Sequence, residues 1–290
     1  MMKRVTIIAI ILAATAITAF GQNRGAGAGA GAGAGDRAPR QDMATLVNPI
    51  EPYDSVWIEN MTQIEIRDAM KAGKTTVLLF AGGMEDNGPY IVVDQHGAIV
   101  TAQCEQIARK LGNALCAPVL HIAPGNPEQV KDPGTIVLTA DVFKSVVTNV
   151  VTSLKSQGFK NIYTMVDHGS SSRPMTEVSE VLAQQFKGSG VRVAYIKEYY
   201  NNAAITQFVR DVLKVEEKQE GFHDDYFTAA VSVATDPLSA RMPQRIKAGK
   251  TKINGAELAG SKPVQDGKMI MAYRTEMTVN AIKALEKQPQ

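Results

Sequence analysis

The sequence predicts an α/β protein with a mostly parallel sheet covered by helices on both faces. Short apolar, β-branched runs typical of buried strands alternate with segments of helical spacing, and Gly or Pro residues separate them. Strands that alternate with helices form parallel sheets, because each helix packs back onto the sheet. One domain over residues 54–290 accounts for these patterns, and the sequence contains no internal repeat.

Local signals place the individual elements. Thr62 and Glu65 form a capping box that opens the first helix, which is expected to end at Gly73. Gly158 is expected to end a later helix, and Pro174 is expected in the first turn of the next one. Strands are predicted over 75–81, 115–122, 161–166 and 191–196. Helices are predicted over 62–73, 96–112, 140–157, 174–187, 203–213, 226–234 and 263–285.

Composition excludes several classes of protein. The 290 residues are 44% hydrophobic and 21% charged, values typical of a globular chain that buries a core. Lys and Arg number 31 against 29 Asp and Glu, so the chain lacks the basic excess that binds nucleic acid backbones. No nucleic acid partner is therefore expected.

The N-terminal residues have the features of a secretory signal peptide. Lys3 and Arg4 precede an uncharged apolar run over 5–20, and Ala19 and Gly21 are small residues at the −3 and −1 positions of a cleavage site. An uncleaved anchor is the alternative, but the run of about 16 residues is shorter than the roughly 20 that a spanning helix needs. The protein is expected to be periplasmic or secreted, with no membrane attachment after cleavage.

Residues 22–53 are predicted to form a disordered tether and an extended lead-in to the domain. Residues 25–35 alternate strictly between Gly and Ala, which bury too little apolar surface to offset the entropy of ordering. Cys104 and Cys116 are the only cysteines of the chain. Both a disulfide and two free buried thiols are compatible with their positions.

Residues whose side chains could bind a metal or take part in catalysis follow the predicted strands. In parallel sheets ligands bind outside the carboxyl ends of the strands, where the segments 82–96 and 167–173 lie. These segments contain Glu85, His96 and His168. A carboxylate and two neutral imidazoles suit Zn²⁺ or another first-row divalent metal, with a position left open for water. Surface or capping roles are the alternative for these histidines.

Two further groups are candidates for catalysis and substrate binding. His223 and Asp224 precede a predicted helix and are candidate acid/base groups, although an Asp at this position can also cap the helix. Tyr199 and Tyr200 follow the fourth strand, where their hydroxyls could donate to a substrate or their rings could simply pack. The sequence contains no nucleotide-binding glycine motif, no Gly-x-Ser-x-Gly elbow and no Cys-x-x-Cys pair.

At these positions the chain resembles the creatininase (creatinine amidohydrolase) family, and more closely a divergent, exported, creatininase-like branch of it. The family motif Glu-x-His-Gly-Pro-His, with an Asp eleven residues after the Glu, is similar to residues 83–90 followed by His96. A Pro-Gly-Thr-Ile segment starts at Pro133, and the blocks that begin at Asp167 and His223 match two further family motifs. The similarity covers roughly residues 56–234.

The resemblance implies a three-layer α/β/α sandwich, often assembled as a hexamer, in which two divalent metals hydrolyse a C–N bond of a cyclic amide. Three positions depart from the family pattern: Asn87 replaces a ligand His, His96 replaces the bridging Asp, and Tyr226 replaces a Glu. Loss of the bridging carboxylate favours one metal, Zn or Mn, bound by Glu85, His96 and His168.

The leading hypothesis is therefore an exported, metal-dependent amidohydrolase in which metal-activated water attacks a small cyclic amide. His223 or Asp224 is expected to be the fourth ligand or the general acid/base, and Asn87, Tyr199 and Tyr200 are expected to contact the substrate. The alternative is a non-catalytic small-molecule-binding member of the same fold that has lost its metal centre. Both hypotheses include a homo-oligomer, which rests on the resemblance.

Overall fold

The computed structural model describes residues 40–289. The predicted signal peptide over 1–21 lies outside this range, as does most of the predicted tether. Among the described residues, no helix combines the length and apolar character needed to cross a bilayer.

Helices and strands alternate along most of the chain. The helices are α1 (Gln63–Lys71), α2 (Gln95–Leu111), α3 (Ala140–Gln157), α4 (Gly169–Gln185), α5 (Asn202–Asp211), α6 (Tyr226–Thr235), α7 (Met242–Ala248) and α8 (Ser261–Glu286). The strands are β1 (Thr76–Ala81), β2 (Ala114–Cys116), β3 (Ala123–Pro124), β4 (Val137–Leu138), β5 (Asn161–Val166), β6 (Arg192–Tyr195), β7 (Lys252–Ile253) and β8 (Ala256–Glu257). Short 3₁₀ turns cover 58–60 and 197–200.

The central sheet has four parallel strands in the order β2-β1-β5-β6. β3 and β4 form a short parallel pair, and β7 and β8 form an antiparallel hairpin. In the central sheet Ala81, the last residue of β1, pairs with Val166, the last residue of β5. The two middle strands therefore end side by side.

Successive residues of β1 face opposite layers of helices. Val77 and Leu79 belong to a buried cluster with side chains of α3 and α4. Leu78 and Phe80 belong to a second cluster with side chains of α2 and α8. This alternation, which follows from the two-residue period of a strand, produces an α/β/α sandwich. The predicted fold class is confirmed.

A third buried cluster lies on the outer side of the α2 and α8 layer and contains residues of α5, α6 and α7. Gly267 of α8 allows α6 to approach closely, because a Cβ atom built on it would lie 2.1 Å from the carbonyl oxygen of Ala230. This packing fixes α6, whose first residue follows the loop that reaches the site described below.

Two predicted elements differ from those observed. The strand predicted over 115–122 ends at Cys116, since Pro118 has no N–H for a ladder bond. α4 begins at Gly169 rather than at Pro174, which lies inside the helix. The expected loop over 167–173 is therefore mostly the first turns of a helix. α7, the β3–β4 pair and the β7–β8 hairpin were not predicted.

Part of the expected lead-in contacts the domain. The guanidinium of Arg67 donates to the carbonyls of Met43 and Leu46 at 2.5 and 2.7 Å. The Tyr53 amide donates to the Glu65 carboxylate at 2.8 Å, the same side chain that completes the capping box at Thr62. Residues 42–53 are thus held against α1.

Cys104 and Cys116 form a disulfide between α2 and β2. Both residues are fully buried in the cluster beneath α2. Of the two arrangements compatible with the sequence, the structure has the disulfide.

Replacing both cysteines by serine should lower the free energy of unfolding by about 2–3 kcal/mol, because the link closes a short loop and constrains the unfolded chain. The change is measured by urea denaturation of the Cys104→Ser/Cys116→Ser protein against the oxidised wild type. Equal stabilities, or two titratable thiols in the unfolded, non-reduced wild type, would contradict the disulfide.

Candidate functional site

Two neighbouring strands carry a carboxylate and an imidazole to one edge of the sheet. Glu85 lies in the loop after β1, and His168 lies two residues after the end of β5. Both strands point in the same direction, so the two loops meet at the carboxyl edge, where α/β sheets bind their ligands. His96 reaches the same place as the second residue of α2.

One carboxylate is held between two imidazoles. Nε2 of His96 lies 2.7 Å from Oε1 of Glu85, and Nε2 of His168 lies 2.7 Å from Oε2 of the same carboxylate. The two rings meet edge to face, with centroids 5.5 Å apart. Both imidazoles are 14% exposed and the carboxylate is 19% exposed. The structure therefore brings together the three side chains that the sequence proposes as metal ligands.

Burial and hydrogen bonding shift the pKa values of Glu85 and His96 in opposite directions. Burial raises the pKa of Glu85, but hydrogen bonds from His168 and His96 outweigh it, and the pKa lies well below its ordinary value. Burial lowers the pKa of His96, but the hydrogen bond with Glu85 and the charges of Asp167 and Asp225 outweigh it, so this pKa is raised. The cluster favours an ionised carboxylate beside protonated His96.

Ser170 holds the other side of the His168 ring. Its hydroxyl donates to the carbonyl oxygen of Pro124 at 2.6 Å, since that oxygen can only accept. The same hydroxyl oxygen lies within hydrogen-bond distance of Nδ1 of His168, at 2.9 Å. This contact holds the ring with Nε2 facing Glu85, and a second partner of this kind is typical of imidazoles that bind metals.

Gly83 makes room for the same ring. A Cβ atom at this position would lie 2.6 Å from Cδ2 of His168. A larger residue would push the imidazole away from Glu85, so the glycine that precedes the motif is required by close packing.

The cluster lies in the wall of a cavity of about 390 Å³. Four carboxylates line this cavity: Glu85, Asp167, Asp224 and Asp225. Aromatic side chains form another part of the lining: Tyr200, Phe222 and Phe227. Among the described residues, no Lys or Arg lines the cavity. An anionic ligand would therefore meet carboxylates without a Lys or Arg in the lining to offset them.

His223 and Asp224 both line the cavity. The imidazole of His223 is 66% exposed and its Nδ1 lies 3.9 Å from Oε2 of Glu85. The same nitrogen contacts the carbonyl oxygen of Asp86 at 2.8 Å. Oδ1 of Asp224 is buried and has no hydrogen-bond partner among the described residues, and burial raises the pKa of this carboxyl. Their predicted catalytic roles stay predictions.

The neighbouring carboxylate, Asp225, caps α6. It accepts a hydrogen bond from the Thr228 amide at 2.8 Å. Burial, partly offset by this hydrogen bond, raises the pKa of Asp225 to about 6. Of the acidic residues after His223, Asp225 takes the capping role, and Asp224 is left facing the cavity.

The two tyrosines after the fourth strand of the sheet are not equivalent. Tyr200 lines the cavity, as predicted. The prediction for Tyr199 is wrong, because this side chain is fully buried and does not reach the cavity. Its ring packs edge-on against Phe80 with centroids 4.8 Å apart, and the guanidinium of Arg274 lies 4.2 Å above it. The 3₁₀ turn over 197–200 sends the two rings to different sides.

Asn87 is at the cavity wall but its amide is used within its own loop. Nδ2 donates to the carbonyl oxygens of Glu85 and Val92 at 3.0 and 3.3 Å, and Oδ1 accepts from Gln95. Both amide hydrogens are therefore occupied and the residue is 2% exposed. The contacts indicate that Asn87 holds the loop; its predicted contact with substrate stays a prediction.

Sequence reasoning missed two residues that shape the site. Arg274 of α8 is fully buried and donates to Asp167 at 2.8 Å, which fixes the carboxylate beside His168. A charged residue in the interior of a predicted buried helix is the signal that could have revealed this pair. Phe222 lines the cavity from an irregular loop, and no sequence pattern indicates its position.

The three clustered side chains are of the types that bind divalent metals. Within residues 40–289, no group of three His, Cys, Asp or Glu side chains has the spacing of a formed metal site. The Nε2 atoms of His96 and His168 nevertheless face the two oxygens of one carboxylate, and Ser170 engages Nδ1 of His168. Two imidazoles and one carboxylate are a common ligand set for a catalytic metal with an open position.

Comparison with known proteins agrees with the motifs in the sequence. The model of the creatininase family, described as creatinine amidohydrolase, matches residues 59–278. A creatinine amidohydrolase of Pseudomonas putida is 23% identical over 198 residues, which is 63% of this chain and 73% of that protein.

Solved structures have the same fold. A crystal structure of creatinine amidohydrolase covers 82% of this chain and 100% of its own, with a TM-score of 0.60 and 19% identity. A structure described as the Mn form of creatininase gives a TM-score of 0.61 at 18% identity, and covers 81% of this chain and 100% of its own. A mutant creatininase in a Zn–Zn form has a TM-score of 0.60 and 19% identity, with coverage of 81% and 100%.

The capping carboxylate Asp225 should lower stability at neutral pH. Its pKa is raised to about 6 in the folded protein, so its ionised form is disfavoured by folding, and stability falls as the pH rises from its unfolded pKa to that value. Asp225→Asn keeps a good helix cap without the charge. It should raise the free energy of unfolding by about 1–2 kcal/mol at pH 8 and change it little at pH 4.

The measurement is urea denaturation at both pH values. Asp236→Asn, at the other end of α6, is the control for the loss of one carboxylate from this helix. An increase in the free energy of unfolding of Asp225→Asn that is equal at both pH values would contradict the raised pKa of Asp225.

Proposed function

The chain belongs to the creatininase family, and from this premise we propose that it is a metal-dependent amidohydrolase that cleaves a C–N bond of a small cyclic amide or a related compound. The observation that carries the proposal is the Glu85 carboxylate between Nε2 of His96 and Nε2 of His168, in the wall of a cavity.

We assign Glu85, His96 and His168 as the ligands of one divalent metal, Zn or Mn. Such a metal would polarise the carbonyl group next to the C–N bond to be cleaved, and it would lower the pKa of a bound water molecule. The raised pKa of His96 favours its protonated form, so metal binding competes with this proton and should weaken at acidic pH. Structural neighbours described as Mn and Zn–Zn forms support a divalent ion.

The other cavity residues can bind and protonate the substrate. His223 is exposed, close to Glu85, and free to move a proton to the departing nitrogen. Oδ1 of Asp224 lacks a partner and is suited to accept a hydrogen bond from a substrate N–H group. Tyr200 and Phe222 offer faces for a planar ring.

The charge of the cavity limits the class of substrate. Its described lining contains four carboxylates and no Lys or Arg. A neutral or cationic nitrogen compound small enough for about 390 Å³ is the substrate expected there.

A second candidate is a binding protein of the same fold without metal chemistry. The observation in its favour is that Glu85 already satisfies both imidazoles directly, while Asn87 is occupied in its loop. A ligand would then raise the melting temperature of this protein, and a chelator would not alter the effect.

We also propose that the protein works in an oxidising compartment outside the cytoplasm. The buried disulfide between Cys104 and Cys116 supports this, since such links are rare in reducing compartments. The predicted homo-oligomer stays a prediction.

The test is hydrolysis of a panel of neutral and cationic cyclic amides by protein loaded with Zn²⁺ or Mn²⁺. Glu85→Gln and His168→Ala should each lower kcat/KM at least 100-fold, because each removes a ligand. Asp86→Asn changes the adjacent, exposed carboxylate and should leave the rate near that of wild type.

Hydrolysis that persists in both ligand variants or after complete chelation would contradict the metal mechanism. A ligand-dependent rise in melting temperature without turnover, unaffected by chelator, would favour the binding protein instead.

A further inference from the structure

The turn of the β7–β8 hairpin is formed by Asn254 and Gly255. Both have positive φ angles, 48° and 82°, as two-residue hairpin turns of Asn-Gly type require. Asn254 is completely buried, which is unusual for a polar residue at the tip of a hairpin. Its side chain must therefore find partners inside the protein.

Those partners all lie in the segment 217–224, here named the cavity loop. Oδ1 of Asn254 accepts from the Glu220 amide at 3.0 Å. Nδ2 donates to Oε1 of Glu217 at 3.1 Å and to the carbonyl oxygen of Asp224 at 3.2 Å. The carbonyl oxygen of Asn254 accepts from the Lys218 amide at 2.8 Å. One residue thus contacts both ends and the middle of the loop.

The cavity loop supplies one wall of the site. Gln219, Phe222, His223 and Asp224 line the cavity, and all four lie in this loop. Its other described hydrogen bonds are three: the Gly255 amide donates to Glu220 at 3.0 Å, the Tyr226 amide donates to Glu217 at 2.6 Å, and His223 contacts the carbonyl oxygen of Asp86. Residues 212–225 contain no helix or strand between α5 and α6. Without the Asn254 side chain, three of the hydrogen bonds that hold this wall would be lost.

We propose that Asn254 is a positioning residue that holds the cavity loop across the candidate site. It acts through Phe222, His223 and Asp224 and does not touch the cavity itself. The inference concerns the shape of the binding site and does not depend on the chemistry proposed for the metal.

The chemistry of asparagine explains the choice of residue. Asn adopts positive φ more readily than other residues with a side chain, and its amide both donates and accepts. Glycine would satisfy the turn but offer no side-chain bond. Aspartate would keep the acceptor for Glu220, lose both donors, and place a second carboxylate beside Glu217.

The experiment measures amide hydrogen exchange in Asn254→Gly, which keeps the turn and deletes the three side-chain bonds. Exchange of the amides of residues 218–224 should become at least tenfold faster, because the variant lacks three hydrogen bonds that oppose opening of the loop. Lys252→Ala, at an exposed position of the same hairpin, is the matched control and should exchange like wild type. Binding of Zn²⁺, measured by calorimetry, should equal that of wild type.

Asn254→Asp is the second variant in case the glycine protein does not fold, and the same amides should exchange faster in it. Unchanged exchange of the cavity loop in the folded variants would overturn the proposal, as would an equal increase throughout residues 42–289. If wild type binds no Zn²⁺, the proposed metal mechanism fails while the exchange result still decides the role of Asn254.

Discussion

The contact on which the site depends is the Glu85 carboxylate shared between the imidazoles of His96 and His168. Each of the three side chains comes from a different element: the loop after β1, the first turn of α2, and the residue before α4. Their meeting requires β1 and β5 to be parallel neighbours that end in register. The α/β/α sandwich is therefore a frame that fixes the distances among these groups.

Several features around this contact hold polar groups where burial alone would disfavour them. Gly83 leaves space for the His168 ring, and Ser170 binds the nitrogen on its far side. Asp225 stays in the cavity wall although burial raises its pKa to about 6. Groups with perturbed pKa values in a cleft are typical of functional sites. Such an arrangement lowers the stability of the protein and is retained where it serves function. The acidic, partly aromatic cavity is consistent with a small neutral or cationic nitrogen compound.

Sequence reasoning predicted the fold class and the three clustered side chains because both depend on local patterns. Buried strands have apolar, β-branched runs, and parallel strands collect their following loops at one edge, so Glu85 and His168 could be expected together. Sequence reasoning placed both tyrosines in the cavity, because a sequence does not reveal that the 3₁₀ turn directs Tyr199 into the core and Tyr200 to the cavity. It also missed Asn254 and Arg274, whose partners lie 30 or more residues away and leave no periodic signal.

The measurement that tests the central claim most directly is the metal content of the purified protein. Protein prepared without a His-tag and without chelators, then reconstituted with Zn²⁺ or Mn²⁺, would be analysed by plasma mass spectrometry beside Glu85→Gln and the control Asp86→Asn. About one equivalent per chain is expected in wild type and in the control, and none in Glu85→Gln. No bound metal in reconstituted wild type, or full occupancy in Glu85→Gln, would contradict the assignment of the ligands.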